Sequence, residues 1–137
     1  MNAISFRDWF FDRLIWVLVS GEWVIKIRDF KNSRNKKERN ILGLTVYNPN
    51  EDGGIIYLDE TRGTARVLIH ELGHVVLGDI IDVEARDKNK TAKKIEIWSE
   101  EQVLTFESLF YSCLSVKQKK ILRTFIDRAK VDFRHNY

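Results

Sequence analysis

The chain carries the stretch Val67-Leu68-Ile69-His70-Glu71-Leu72-Gly73-His74-Val75-Val76, and both its fold and its chemistry are expected to follow from it. On an α-helix, His70 and His74 lie one turn apart and project from the same face. That spacing suits two ligands of one tetrahedral zinc ion. Glu71 lies on the flank of this face, where a carboxylate can accept a proton from a zinc-activated water molecule without binding the metal. We therefore predict a zinc site on a helix at this stretch.

The residues around the two histidines indicate that this helix is buried on most sides. Between Val67 and Val76, the only side chains that can carry a charge are those of the His-Glu-His set. A helix at the protein surface would present charged residues along its outer face. The alternative is a helix that only buries two hydrogen-bonded histidines. We prefer the metal site, because two of the three histidines of the chain fall here with a glutamate between them.

Composition favours a single domain over residues 1–137. The 137 residues are 44% hydrophobic, which is enough for one core and too few for two. Basic residues number 23 and acidic residues 20, a mixed surface that gives no reason to predict a nucleic-acid partner. The single cysteine, Cys113, cannot form an internal disulfide, so a reducing cytoplasm is the simplest setting. We expect Cys113 to be a small core residue.

The first helix is predicted to run from Phe6 to about Val19, with Ser5 as its N-cap and Gly21 near its end. Its apolar stretch is interrupted by Asp12 and Arg13 and is shorter than the roughly 20 residues that span a bilayer. We therefore predict neither a membrane anchor nor a signal peptide. Apolar residues lie on both sides of this helix, which favours burial in the core. The alternative is an exposed patch for self-association or for a substrate protein.

Three short strands are predicted between this helix and the HExxH helix, at Trp23–Arg28, Ile41–Tyr47 and Ile55–Leu58. We expect them to form a small, mostly antiparallel sheet. The basic segment Lys31–Asn40 would be the solvated tip of a hairpin between the first two strands. It contains no aromatic residue and could contact phosphates only through charge. The segment Asn48–Gly54, with a proline and paired glycines, would form the second turn.

Three helices complete the predicted fold. The HExxH helix is expected to begin at a cap on Thr61 or Thr64 and to end near Gly78, which suits a left-handed C-cap. A charged loop from Asp79 would then lead to Ser99, the predicted N-cap of the next helix. The bounds expected for the two C-terminal helices are Glu100–Leu114 and Val116–Phe133.

A catalytic zinc site needs a third protein ligand and leaves the fourth position to water. A histidine ten residues after the first ligand is excluded, because Ile80 occupies that position, and His135 lies in the C-terminal tail. We therefore expect a carboxylate from the following helix. Helical phase turns Glu100 towards the apolar face and Glu101 towards solvent, while Glu107 shares the inward phase but lies two turns further along. We rank Glu100 first, then Glu101, then Glu107.

The segment Ile55–Asp59 leading into Val67–His74 resembles the ImmA/IrrE-like and phage-type small zinc metallopeptidases. These are glutamate-ligand zincins with a thermolysin-like core, in which a strand, the HExxH helix and a glutamate-bearing helix form the site. Three residues fit their later motif, Glu-x-x-Ala-Asn-x-Phe, with a valine at the alanine position, whereas Leu104 stands in place of the asparagine. The residues that fit are Glu100, Val103 and Phe106. The resemblance covers about residues 41 to 115 and implies a zincin-like α+β fold.

Together these features predict a zinc peptidase that acts on a protein or peptide substrate. Zinc on His70, His74 and Glu100 would polarise the scissile carbonyl group, while Glu71 would act as general base. The alternative is a metal-stabilised interaction module that keeps the zincin fold and hydrolyses little or nothing. Such a module would hold its partner through the first helix or the basic loop. The presence of Glu71 favours the enzyme, because a purely structural site does not need it.

Three further roles are assigned less narrowly by the sequence. A hydrogen-bond donor for the oxyanion could come from several side chains, which are Tyr47, Tyr57, Tyr111 and His135. The free N–H groups of the imidazoles need acceptors, for which Asp79 and Glu107 are candidates. A peptide substrate is expected to bind as an added strand along an exposed edge of the sheet, at the Ile55–Leu58 strand.

Overall fold

The computed structural model describes residues 2–87 and 100–135, with the backbone alone described for residues 3, 77–87 and 100. The described residues form four α-helices and three strands, which confirms the α+β class; the zincin-like fold stays a prediction. A short 3₁₀ turn at Lys36–Glu38 lies between the first two strands. The strands are β1 Trp23–Arg28, β2 Gly43–Tyr47 and β3 Gly54–Asp59. The helices are α1 Ala3–Val19, α2 Ala65–Asp87, α3 Glu100–Cys113 and α4 Val116–His135.

The sheet is mixed, with the strand order β1-β3-β2. β3 pairs antiparallel with β2 and parallel with β1, so the prediction of a mostly antiparallel sheet is wrong for one of the two pairs. The reason lies in the connection between β1 and β2. It carries the chain across to the far side of β3 instead of returning beside β1, and the segment Lys31–Asn40 is therefore not a hairpin tip.

Helix α2 lies at the centre of the core, as its uncharged flanks predict. Leu68, Ile69, Leu72 and Val75 are fully buried. They pack in one cluster with buried side chains of every other helix and of β1 and β3. Among the contributors from those elements are Phe10, Leu14, Trp23, Ile56, Phe110, Leu122 and Ile126. Burial on this scale fixes the helix that carries both histidines, because displacing it would expose most of the core.

Helix α2 is longer than predicted. It begins at Ala65, and the Thr64 hydroxyl accepts a hydrogen bond from the main-chain N–H of Val67. It continues through Gly78 to Asp87, so the predicted C-cap at Gly78 is wrong. A single glycine costs a helix only about 1 kcal/mol relative to alanine, and the apolar residues on both sides of Gly78 continue the helical pattern. The rest of the predicted loop, including Ser99, lies outside the described residues.

Helix α1 is buried in the core on one side and carries an exposed apolar patch on the other, so each of the two interpretations of its sequence holds for one side. Its N-cap is Asn2, whose side chain accepts from the N–H of Ser5, so the helix begins three residues before the predicted start and Ser5 is not the cap. One side of it is buried, whereas other large apolar residues stay exposed. The buried set is Phe10, Phe11, Leu14 and Val17, and the exposed set is Ile4, Phe6, Trp9, Trp16 and Val19. Self-association through this helix stays a prediction.

The prediction that Cys113 is a small core residue is answered by the helical period. Val103, Phe110 and Leu114 of α3 and the segment after it are buried, but Cys113 is exposed, so its assignment to the core is wrong. Cys113 lies one residue before Leu114, and one residue turns a helix by about 100°, which carries the thiol away from the buried face.

Among the described helices, none is both long enough and apolar enough to cross a membrane.

The buried carboxylate of Asp59, at the end of β3, holds the loops on either side of the sheet. Its Oδ1 accepts from the main-chain N–H groups of Phe30 at 3.0 Å and Lys31 at 3.2 Å. Its Oδ2 accepts from Arg62 Nε at 3.0 Å. The same arginine donates to the main-chain oxygen of Ile41 at 3.4 Å, so Asp59 and Arg62 together link both ends of the β1–β2 connection to the start of α2.

Replacing Asp59 with Asn is expected to lower the free energy of unfolding by about 2–4 kcal/mol at pH 7, because a buried acceptor of a charged partner is lost. Burial raises the pKa of Asp59, but hydrogen bonds from Arg62 and from main-chain N–H groups outweigh it and hold the pKa well below its ordinary value. The stabilisation is therefore present above the unfolded-state pKa and decreases as pH falls below about 4. Urea unfolding at several pH values measures this.

The matched control for this measurement is Asp29→Asn. The hydrogen bonds of Asp29 stay within its own turn, from the N–H and side chain of Asn32 at 3.2 Å and 2.9 Å, and it acts on Arg62 only through its charge. We expect it to change the unfolding free energy by less than about 1 kcal/mol. If Asp59→Asn is no more destabilising at pH 7 than this control, then Asp59 does not hold the loops together.

Candidate functional site

The two histidines of α2 converge as the helical spacing predicts. Their Nε2 atoms are 3.2 Å apart, and their ring centroids are 4.9 Å apart. This separation allows a hydrogen bond between the rings. It also matches the distance of about 3.3 Å between two ligand atoms on a tetrahedral zinc with bonds of about 2.0–2.1 Å. The two nitrogens can therefore bind one zinc ion with little movement of either ring.

The orientation of the His70 ring is set by α3. Its Nδ1 lies 3.2 Å from Oε1 of Glu107, whose side chain is nearly buried. The other oxygen of Glu107 accepts from Nε of Arg66 at 2.5 Å, and Arg66 also donates to the Ser108 hydroxyl at 2.6 Å. A neutral His70 that donates Nδ1–H to this carboxylate presents the lone pair of Nε2, which is the form that a metal requires.

Arg66 was not identified from the sequence. It lies one turn before His70 on the same helix face, so it shares the neighbour on α3 that orients the histidine. An arginine at that spacing, together with an acidic residue in the following helix, is the signal that could have found it. The pairing keeps the Glu107 carboxylate in place beside the ring, because the guanidinium holds its second oxygen.

Glu71 is buried, and it lies between the histidines and strand β2. Its Oε2 accepts a hydrogen bond of 2.5 Å from the hydroxyl of Thr45. Thr45 was also missed by the sequence analysis. Residues at alternate positions of a strand share a face, and the face of β2 that contains Thr45 turns towards α2. The general-base candidate is thus held from the sheet side, by a residue of β2.

The histidines and Glu71 line one open cleft of about 320 Å³ between α2 and β2. The rest of its lining comes from β2, namely Gly43, Leu44, Thr45 and Tyr47. The Tyr47 hydroxyl lies 3.2 Å from the main-chain oxygen of His74 and donates to it. Of the four residues considered as oxyanion donors, Tyr47 is the one that lines the described part of this cleft. Its single O–H is used in the bond to His74, so it would have to rotate away from that carbonyl to serve as an oxyanion donor.

The third zinc ligand is not assigned by the described residues. Glu100 is the first residue of α3, but its side chain lies outside the described part, as does that of Asp79. Glu101 is exposed and lines a different groove with Phe106 and Leu109. Glu107 contacts Nδ1 of His70, on the opposite side of the ring from Nε2. Within residues 2–87 and 100–135, no group of three or more His, Cys, Asp or Glu side chains is arranged to hold a metal ion.

Comparison with protein-family models, curated proteins and solved structures finds no match to this chain. The resemblance to small zinc metallopeptidases therefore stays a prediction from the HExxH segment. Any assignment of function rests on the geometry of the cleft and on the chemistry of the residues that line it.

Proposed function

We propose that this chain is a zinc-dependent peptidase. The observation that supports this most directly is the placement of His70, His74 and Glu71 in one open cleft, with the two Nε2 atoms 3.2 Å apart. A structural metal site does not need an adjacent glutamate, whereas hydrolysis requires a base beside the metal. The test of this function is the replacement of Glu71 with Gln, which should remove hydrolysis while zinc stays bound.

The donor set fits zinc. Two neutral imidazoles and one carboxylate, with the last position left to water, are the ligands of many zinc hydrolases. His70 and His74 would supply the imidazoles, and Glu100 remains the carboxylate that we propose. Zinc bound there would act as a Lewis acid and lower the pKa of a coordinated water molecule to about 7.

Glu71 would take up the proton of the attacking water and later give it to the amine that leaves. The peptide bond and one O–H bond of water break, and the products are a carboxylic acid and an amine. Glu71 is nearly buried, and the Thr45 hydroxyl holds its Oε2 in the cleft that both histidines also line. Glu107 and Arg66 would hold His70 in its metal-binding tautomer throughout.

The edge of the sheet that borders the cleft is β2. The sequence places the substrate on the Ile55–Leu58 strand, but β3 is the central strand and has a neighbour on each side, so that prediction is wrong. Main-chain hydrogen bonds join Asp59 to Leu42 and Asn48 to Gly53, at the two ends of the β2–β3 pair. In an antiparallel pair, residues that exchange main-chain hydrogen bonds with the neighbouring strand alternate with residues that do not. Because Leu42 and Asn48 are hydrogen-bonded to the residues opposite them, every second residue between them turns its main-chain N–H and C=O groups away from β3. These residues are Gly43, Thr45 and Tyr47.

A peptide is therefore expected to bind as an extended strand along β2. In the zinc-loaded protein carrying Glu71→Gln, a saturating synthetic peptide should slow the hydrogen exchange of the Gly43 and Thr45 amides by at least about tenfold, because they gain main-chain acceptors. Two-dimensional NMR measures this residue by residue. The matched control is the amides of β1, the other edge strand. Protection of β1 with no change at Gly43 and Thr45 would show that the peptide binds elsewhere.

The second candidate function is that of an interaction module. It is favoured by the exposed apolar side chains of α1, including Phe6, Trp9 and Trp16, which are about half exposed. Large apolar surfaces on a folded domain often mark a binding site. An interaction module would not need the Glu71 carboxylate. Replacing Glu71 should therefore remove hydrolysis if the protein is a peptidase and leave partner binding unchanged if it is an interaction module.

A further inference from the structure

The face of β2 that turns towards α2 is built around the Glu71 carboxylate. Thr45 donates its hydroxyl hydrogen to Oε2 of Glu71. Gly43 lies two residues earlier on the same face, where a Cβ atom would lie 2.9 Å from Cγ of Glu71 and 3.0 Å from its Oε1. We infer that Gly43 and Thr45 are positioning residues for Glu71, an inference that rests on the proposed role of Glu71 as general base.

Gly43 and Thr45 restrict the Glu71 side chain in different ways, one by leaving room for it and the other by a hydrogen bond to its carboxylate. A glutamate has three rotatable bonds, and a carboxylate that sweeps through several rotamers spends little time in a productive geometry. The Thr45 hydroxyl fixes one oxygen through a hydrogen bond to a charged acceptor, which is among the stronger kinds in proteins. The missing side chain of Gly43 leaves the space that the Cγ and Oε1 atoms occupy.

The same residues also face the proposed substrate. Gly43 and Thr45 belong to the alternate positions whose main chain turns away from β3, towards the sheet edge. A strand added there would be aligned by the residues that hold the base. Glu71 itself belongs to α2, but β2 would both bind the substrate and hold the Glu71 carboxylate through Thr45, so one strand would set the position of the scissile carbonyl relative to the base. Placing such groups on a strand is more exact than placing them on a loop.

Thr45→Val tests the hydroxyl, because it keeps the branched shape and removes the donor. With denatured casein or a synthetic peptide library as substrate, we expect kcat to fall about 10- to 100-fold and KM to change less than about threefold. Thr45→Ser, which restores a hydroxyl, should recover most of kcat. Thr124→Val on α4 is the matched control, since its exposed hydroxyl donates only to the Lys120 carbonyl, and it should leave both constants unchanged.

Gly43→Ala tests the space. Its new methyl group would also meet Cγ1 of Val67 at 2.8 Å, so a loss of activity could come from packing alone. The double variant Gly43→Ala with Val67→Ala removes the contact with Val67 and keeps the collision with Glu71. We expect the double variant to remain at least about tenfold below Val67→Ala in kcat. Recovery of kcat to the level of Val67→Ala would show that Gly43 serves packing and does not position Glu71.

A thermal-unfolding cycle on the metal-free protein gives a readout that does not depend on catalysis. Melting temperatures of wild type, Thr45→Val, Glu71→Ala and the double variant should be non-additive by about 2–6 °C, because each single change already breaks the shared hydrogen bond. Additive shifts would overturn the inference. Non-additive shifts with an unchanged kcat would overturn the positioning role. If the wild type hydrolyses nothing, the proposed function fails, while this cycle still decides whether β2 holds the carboxylate.

Discussion

Replacing either His70 or His74 with Ala is expected to reduce bound zinc from one ion per chain to almost none at micromolar concentrations. Each imidazole supplies one of the few bonds to the metal, and the Nε2 atoms are already at a separation of 3.2 Å. Losing one ligand leaves a site of two donors, which cannot compete with water and buffer for zinc. Elemental analysis of the dialysed protein, with a competing chelator of known affinity, measures the change.

The matched control for the metal measurement is His135→Ala. His135 is exposed at the end of α4, so its substitution should leave the zinc content unchanged. Glu100→Ala should weaken zinc binding more than Glu101→Ala, since Glu101 lines another groove. Glu107→Ala should cost about 10- to 100-fold in affinity through the His70 ring. Full zinc occupancy in either of the two histidine variants of α2 would refute the metal site.

Helix α2 and the elements around it could be predicted because the spacing of apolar residues along the sequence indicates which side of an element is buried. The uncharged flanks of the HExxH segment predict a central helix, and Leu68, Leu72 and Val75 are fully buried. Apolar periodicity also located all three strands and both C-terminal helices to within a few residues. Helix ends were less predictable. A glycine such as Gly78 can end a helix or lie within one, and packing against the core decides between the two.

The pairing of the strands and the surroundings of the site could not be predicted, because both depend on contacts between distant segments. The length of the β1–β2 connection allows either a hairpin or a crossing to the far side of β3. Arg66 and Thr45 are ordinary polar residues in the sequence. They become part of the site only when α3 places Glu107 beside Arg66 and the sheet places Thr45 beside Glu71. The spacing of two histidines along one helix is local, and it was therefore readable.

Glu71→Gln is expected to keep the zinc and the fold and to lower peptide hydrolysis about 10²–10⁴-fold. The amide has nearly the shape of the carboxylate. In the wild type the Thr45 hydroxyl donates to Oε2 of Glu71, and in the variant the amide oxygen can accept the same hydrogen bond. It cannot take up a proton at neutral pH. Zinc content, melting temperature and the cleavage of a broad peptide library, followed by mass spectrometry, are measured on the same preparations. The control is Glu101→Gln, which changes an exposed glutamate on α3 and should alter none of the three.

The substitution also decides which molecule in the preparation cleaves the peptides. A contaminating protease would be present in both samples, so its activity would survive in the Gln variant and in the control. Loss of cleavage in Glu71→Gln alone, at full zinc content, assigns the hydrolysis to this chain and the proton transfer to Glu71. Equal rates in wild type and variant would show that Glu71 is not the base. A wild type that holds zinc, cleaves nothing and binds a protein through the exposed face of α1 would favour the interaction module, because that function needs the fold and the metal but not the carboxylate.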